Sequence, residues 1–314
     1  MKLIKSSLIT IKQKGLIVFF MAVINFLLIL FYQKFLPTNL IKKRIFDFRM
    51  FLNPIDRGIS RTLILFGVRE LDHKKILELV LKKNMKVFDL GANIGYYVLM
   101  ESSIVGKNGK IIAIEPVPEN MKLLKKNLEL NKNNITTTMQ VGISNLIEEK
   151  NFLLSEHSNL GHIIDDKHSK NYKNKKKIKI QTISLNKLIE KTLFPDFIRM
   201  DVEGYEEYIL KDLINLKLKK YPIICFETHL SKYKKMKDVL KKLFNKGYRI
   251  KYASSSSESG SLKLKNLGYK PIFKNIKTDD VTREIFKNIK KNHSIKLICE
   301  LGGLRTVLMV CDNR

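Results

Sequence analysis

Four short apolar runs, each closed by an acid, constrain this chain more than any other feature. They are VFDLG (Val87 to Gly91), KIIAIEP (Lys110 to Pro116), FIRMD (Phe197 to Asp201) and PIICFE (Pro222 to Glu227). Runs this short and this continuously apolar read as strands buried on both faces. Amphipathic helical stretches separate them. Met121, Leu124 and Leu128 share one helical face, with Lys122, Lys125, Lys126 and Glu129 largely on the other, and Tyr205, Ile209, Leu213 and Leu216 line a second such face. Strand and helix in alternation predict an α/β fold, a parallel sheet covered on both sides. Ligands of such sheets bind beyond the carboxyl ends of the strands, where the four acids fall. RTVLMVCD (Arg305 to Asp312) reads as a last buried strand, reached from Leu297 through the Gly302-Gly303 turn.

Composition sets the class and little else. With 314 residues, 44% hydrophobic and 28% charged, the chain can bury a core, which excludes a disordered, collagenous or disulfide-stapled protein. A net charge of +29 favours polyanions, anionic headgroups or nucleic acid without naming one, and heavy use of Lys, Ile and Asn leaves codon bias as an equal explanation. Cys225, Cys299 and Cys311 form no CxxC pair, which fits a reducing compartment and no zinc site.

From Gly15 to Tyr32 the chain is apolar all round, with Asn25 the only strongly polar residue. As a helix this stretch would run about 27 Å, close to the roughly 30 Å of a bilayer's hydrocarbon core. FYQKFLP after it offers no cleavage site, so a membrane anchor reaching about Leu36 is expected rather than a signal peptide or an interfacial helix. Lys2, Lys5, Lys12 and Lys14 before the span nearly balance Lys34, Lys42, Lys43, Arg44 and Arg49 after it, so charge does not set orientation. The expected division is an anchor over 1–36, a basic helical lead-in over 37–84 with breaks at Asn53-Pro54 and Phe66-Gly67, and a catalytic domain over 85–314. Asp166 to Lys179, with seven lysines, reads as a solvated insertion, and Ala253 to Ser261 as a flexible connector.

The turn from Asp89 through Gly91 and Asn93 to Gly95 follows a strand and opens a helix. Its glycines allow a sharp turn and close approach to a ligand. A dinucleotide fingerprint would read GxGxxG, whereas this turn has GxxxG preceded by an acid. An anionic Asp89 opposes a pyrophosphate and favours an ammonium or sulfonium. Glu115, ending the next strand, can accept both hydroxyls of a ribose. Together these are the demands of S-adenosylmethionine.

VFDLGANIGYY, IIAIEPVPENMKLLKKNLELN, IRMDVEGYE and IICFETH resemble the FkbM-type methyltransferases from Val87 to Leu230, with a fainter echo from Asn53 to Glu70. The resemblance implies a class I methyltransferase fold, a Rossmann-like, mostly parallel sheet, and transfer of a methyl group to hydroxyl oxygens. It implies a cofactor held by Asp89, Gly91, Asn93, Gly95 and Glu115. Arg199 stands where the family commonly has Lys, and the lysine-rich segment and long C-terminal tail lack obvious counterparts.

Methyl transfer from a sulfonium is an in-line displacement, in which alignment supplies roughly 7–11 kcal/mol and a general base about 10²–10⁴-fold. Asp201 and Glu203 follow the third strand, Glu227 and His229 the fourth, so all four are expected at the methyl position. His229, whose ordinary pKa is near neutral, suits a base. Asp201 suits orienting the acceptor or the methionine ammonium, and Glu203 a helix N-terminus. Glu70 is expected to fold back to the cofactor pocket, Asn159 to His162 to form a mobile loop near the acceptor, and Cys225 to lie in the core. Asp201, Glu203 and Glu227 have no pattern that demands a metal, so none is expected. The expected acceptor is a small molecule or glycan, most simply a sugar or lipid-linked glycan near the membrane, with the catalytic domain cytoplasmic, where S-adenosylmethionine is made. Asp201-Val202-Glu203-Gly204 in place of an Asn/Asp-Pro-Pro-aromatic loop, and lysines without interleaved aromatics, argue against nucleic acid. Two alternatives stand beside this reading, a nucleic-acid (RNA) methyltransferase, which the charge of +29 favours, and a membrane-tethered, inactive binding protein.

Overall fold

The computed structural model describes residues 10–155, 157–158, 160–164, 176–218, 220–233 and 235–312. Helix α1 (Leu16–Phe35) precedes a hairpin of β1 (Ile41–Ile45) and β2 (Phe48–Leu52), then α2 (Ile59–Phe66) and α3 (Leu71–Val80). The alternation follows as β3 (Lys86–Leu90), α4 (Tyr96–Val105), β4 (Lys110–Ile114), α5 (Pro118–Leu130) and β5 (Thr136–Met139). Four strands leave the main sheet: β6 (Gly142–Ser144), β7 (Glu149–Leu153), β8 (His162–Ile164) and β9 (Lys177–Ser184). The chain returns through α6 (Leu185–Lys191), β10 (Phe197–Met200), α7 (Glu206–Asn215), β11 (Ile223–Glu227), α8 (Met236–Asn245) and β12 (Tyr248–Ser255). It finishes with α9 (Glu258–Asn266), β13 (Phe273–Thr278), β14 (Val281–Lys287), α10 (Lys291–Cys299) and β15 (Leu304–Cys311).

The main sheet runs β13-β14-β12-β15-β11-β10-β3-β4-β5. From β11 to β5 all neighbours are parallel, and β15 inserts antiparallel between β11 and β12. This is the expected class I arrangement, extended at one edge by the β13–β14 hairpin. The chain reverses its direction of travel across the sheet between β3 and β10, which opens a crevice at their carboxyl ends. Successive side chains of each strand enter opposite cores: Val87, Ile111 and Cys225 pack on one face, Phe88, Ile112 and Ile224 on the other. Met121, Leu124 and Leu128 of α5 cover the first face, and Ile209 and Leu213 of α7 the second, as their spacing predicts.

Two segments differ from expectation. The lead-in is not wholly helical, because residues 41–52 form a hairpin whose inward Ile41, Ile45, Met50 and Leu52 join the same core as the sheet. Its outer edge is satisfied by Asn127 of α5 and by Asn131 just past its end, whose side-chain oxygens accept the N–H groups of Phe51 and Arg49 at 2.7 and 2.9 Å. Those partners are some eighty residues away, outside the reach of local propensity. Ala253 to Ser261 is likewise no flexible connector but the end of β12 and the start of α9. Ser261 Oγ donates to the buried Ser255 Oγ at 2.8 Å, and Gly260 fits where a Cβ would lie 2.4 Å from the Gly303 carbonyl oxygen. Of the lysine-rich segment, residues 166–175 lie outside the described residues, and Lys177 to Lys179 belong to β9.

Helix α1 has a mean hydropathy of 2.4 over its most apolar window and is long and apolar enough to cross a membrane. One narrow stripe meets α2: Ile29 is buried, and Asn25 Nδ2 donates to the Leu65 carbonyl at 3.2 Å. Ile17, by contrast, is 81% exposed.

Candidate active site

The crevice between β3 and β10 widens into an open-mouthed cleft of about 800 Å³. Gly91, Asn93 and Glu115 line one side, Asp201 and Glu203 the other, and Glu70 also reaches it. Gly91 (φ 89°) turns where a Cβ would lie 2.1 Å from the Asp201 carbonyl oxygen, so only glycine lets the two strand ends approach. Gly95 (φ 89°) does a different job. A Cβ there would meet Leu124 Cδ1 at 2.6 Å, so Gly95 seats α4 against α5 and does not line the cleft.

Glu115 is held by its own neighbourhood. Its Oε2 accepts the Asn93 N–H at 2.9 Å, and its Oε1 the Val117 N–H at 2.9 Å and Asn120 Nδ2 at 3.1 Å. Burial nevertheless pushes its pKa up to about 7. The Asn93 side chain reaches Ser158 O at 2.9 Å, and Ser158 is gripped by Asp56, Oγ to Oδ2 and N–H to Oδ1, both at 3.0 Å. Ser158 and Gly161 thereby join the cleft wall, with Ile143, Phe152 and Ile163 as apolar surface. Of the loop expected near the acceptor, Asn159 lies outside the described residues, and Leu160 and His162 do not line the cleft.

Asp89 is the first correction. It is fully buried and does not line the cleft. The register sets Arg199 beside it, and Arg199 Nη1 meets Asp89 Oδ1 at 2.8 Å. Arg199 also stacks on the Tyr97 ring, 3.7 Å from its centroid, and sends Nη2 to Asp201 Oδ2 at 3.2 Å. The negative charge that the sequence assigns to a cofactor therefore faces a guanidinium. Glu70 does fold back, but its carboxylate is engaged by Arg69 Nη2 at 2.5 Å, the Tyr97 hydroxyl and Arg305 Nη2 at 3.3 Å. Burial alone would raise its pKa, yet Arg69 and Arg305 hold it well below the usual carboxylate range.

His229 is the second. It and Glu227 do not face the cleft but lie behind Asp201 and Glu203, almost enclosed. His229 Nε2 lies 3.4 Å from Glu206 Oε1, 3.7 Å from Asp201 Oδ1 and 4.0 Å from Glu227 Oε1, while Nδ1 lies 3.7 Å from Glu203 Oε2. Burial would lower its pKa, but Asp201, Glu206 and Glu227 outweigh this and hold it at about 9. A base for neutral pH must be free to accept a proton, and this imidazole already carries one. Asp201 moves the opposite way: against burial, His229 and Arg199 keep it below the carboxylate range.

Glu203 is the third. It sits in the turn before α7 with φ 55°, and the helix-terminal role falls to Glu206, whose carboxylate accepts the Val202 and Gly204 N–H groups at 3.0 Å. Glu206 is fully buried, and burial lifts its pKa to about 7. Its signal was in the sequence, as the last acid of DVEGYE. Arg305, which pairs with Glu227 and reaches Glu70, had no signal, since it merely opens the last apolar run. Cys225 is buried in the core as expected, beside a buried His73.

The cleft thus offers one strand-end carboxylate beside apolar walls and, across β3, a charged network behind Asp201. The family description "Methyltransferase FkbM domain" matches residues 89–250. Over 72 residues the chain is 36% identical to a protein-L-isoaspartate O-methyltransferase of Methanococcus maripaludis, covering 23% of this chain and 34% of that protein. The match thus spans about a third of that curated relative. Among solved structures, a methyltransferase FkbM from Methylobacillus flagellatus is similar at 15% identity and a TM-score of 0.37, covering 73% of this chain and 54% of that one. TYW2 of M. jannaschii, in complex with AdoMet, is similar at 13% identity and a TM-score of 0.41, covering 80% and 87%.

Proposed function

This chain belongs to the FkbM methyltransferase family, and from that premise we propose that it is an S-adenosylmethionine-dependent enzyme that methylates a hydroxyl of a sugar or lipid-linked glycan at a membrane. The observation that carries the cofactor reading is Glu115. Its carboxylate ends β4, lines the cleft and is tied to the glycine turn by the Asn93 N–H. Such a carboxylate suits the two hydroxyls of a ribose, and Phe152, Ile143 and Ile163 supply apolar wall for a flat base. The lining sets Glu70, Glu115, Asp201 and Glu203 against Arg69 and Arg199, and this excess of acids suits the cofactor's net positive charge.

When bound, S-adenosylmethionine supplies a methyl carbon activated by a sulfonium. The chain's own contribution is alignment. Asp201, kept ionised by His229 and Arg199, and Glu203 accept hydrogen bonds from a polyol and hold one oxygen in place. An acid lining of this kind favours an alcohol over a nucleobase or a phosphate.

Helix α1 supports a membrane location by its length and hydropathy, and the supply of S-adenosylmethionine supports a cytoplasmic active site. Carbonate-washed membranes should retain the full chain and release one that begins after Leu36, and protease added outside should spare the C-terminus. For the acceptor, glycolipids and surface polysaccharide from a deletion strain should lack an O-methyl sugar by mass spectrometry. Unchanged glycans with a missing methylated nucleoside would overturn that reading.

A further inference from the structure

We propose that Asp201, Glu227 and His229 form a binding site for one divalent cation, with Mn²⁺ as the best match to the donors, which ties the loop after β10 to the loop after β11. One donor atom from each lies within 4.8 Å of the others. A first-row divalent ion with donors at about 2.0–2.2 Å places adjacent donors roughly 3 Å apart. The 3.7 and 4.0 Å from His229 Nε2 to Asp201 Oδ1 and Glu227 Oε1 need only a small inward movement to reach that spacing.

The independent observation is Nε2 itself. The His229 side chain is 9% exposed, yet Nε2 makes no hydrogen bond among the described residues although three carboxylates surround it. A buried imidazole that merely paired with an acid would close on one oxygen at hydrogen-bond distance. Here the ring nitrogen points into the space between several oxygens, which is how ligands encircle a common centre. The outer partners of such a centre are also in place. Asp201 gives Oδ2 to Arg199 and leaves Oδ1 toward His229, Arg305 pairs with the same Glu227 Oε1 that faces His229, so the ion would share that oxygen with the guanidinium, and the Val202 and Gly204 N–H groups hold Glu206. Charge agrees. Four carboxylates surround His229, while the two guanidiniums that touch them are each shared, Arg199 with Asp89 and Arg305 with Glu70, and the ion would displace the proton that the imidazole otherwise holds, replacing one positive charge by two. Imidazole with carboxylates suits Mn²⁺ better than the all-oxygen preference of Mg²⁺ or Ca²⁺. The ion would reach the site past Asp201, which is 22% exposed at the cleft, and would fix the carboxylate that lines it.

Binding of the ion does not depend on the methyl-transfer reading, so the two are tested apart. Mn²⁺ is titrated into the full chain in detergent and followed by loss of the free-ion paramagnetic resonance signal and by the rise in Tm. S-adenosylmethionine binding is measured in parallel by calorimetry. One ion per chain is expected, with His229→Gln and Glu227→Gln each weakening it at least 10-fold while leaving cofactor affinity within 2-fold. No bound Mn²⁺ up to millimolar concentration, or wild-type affinity in both variants, would overturn the site. If a variant loses the native circular dichroism spectrum, the wild type decides. Mn²⁺ must then broaden the His229 ring resonance before those of the other histidines, and its persistence overturns the proposal. Retained Mn²⁺ binding with no cofactor binding would sink the methyl-transfer reading alone.

Discussion

Glu115 and His229 stand on opposite sides of β3, and both have pKa values moved upward by their surroundings, but they are built differently. Glu115 is held by neutral donors close in sequence, the N–H groups of Asn93 and Val117 and the amide of Asn120. His229 is surrounded by charges from two loops, and the two guanidiniums behind them come from β10 and β15. The first arrangement can be assembled by one motif. The second exists only when three distant segments, 199–206, 227–229 and the one carrying Arg305, are packed together, so damage to it should spread through the fold.

The largest expected effect follows from that spread. Arg199→Met leaves Asp89 buried without its guanidinium and should cost about 3–5 kcal/mol of stability, read by urea unfolding. A loss below about 1 kcal/mol would show the network to be less coupled than its contacts imply. Glu115→Ala should act locally instead. It should weaken S-adenosylmethionine binding by about 1.5–3 kcal/mol, since hydrogen bonds to a charged group are involved, and orphaning the donors that Glu115 now satisfies should cost about 1–3 kcal/mol of stability, less than the Arg199 change. Calorimetry that returned wild-type affinity would remove the cofactor assignment.

A third effect comes from His73, which lies between the Tyr97 ring, Thr306 Oγ1 at 3.3 Å and Cys225. Burial, reinforced by Arg199 and opposed by Glu70 and Asp201, pushes its pKa down to about 3. The unfolded chain takes up this proton near pH 6.5 and the folded chain does not, so stability falls as pH drops from about 6.5 toward 3, by up to about 1.4 kcal/mol per pH unit. Above pH 6.5 the contribution is fully present. His73→Gln should flatten the stability profile in that window relative to wild type, and parallel profiles would refute the buried neutral imidazole. The smallest effect is expected at the cleft wall. Ser158→Ala removes the hydroxyl bond to Asp56, worth about 0.5–1.5 kcal/mol, and should speed amide exchange around residues 157–164 without altering exchange in β3.

Legibility follows the same division. The turn at Gly91 and the strand-end Glu115 were readable because a short segment contains both the constraint and its satisfaction. Gly95 was readable as a required glycine but not in its role, since the atom that forbids a side chain belongs to Leu124 on another helix. The 41–52 hairpin is not legible locally, because its edge is completed by Asn127 of α5 and by Asn131 just past that helix.

What the amino-acid order determined alone is the set of buried parallel strands, the helices between them, the glycine turn and the acid at each strand end. All of these follow from side-chain periodicity and backbone freedom within a dozen residues. Only the tertiary structure decided which charges meet. It turned Asp89 toward Arg199, gave His229 its proton, moved the helix-terminal role to Glu206 and joined Glu70 to Arg305 across 235 positions. Electrostatic interaction depends on a few ångströms of space and on burial, and neither quantity is written in the distance along the chain.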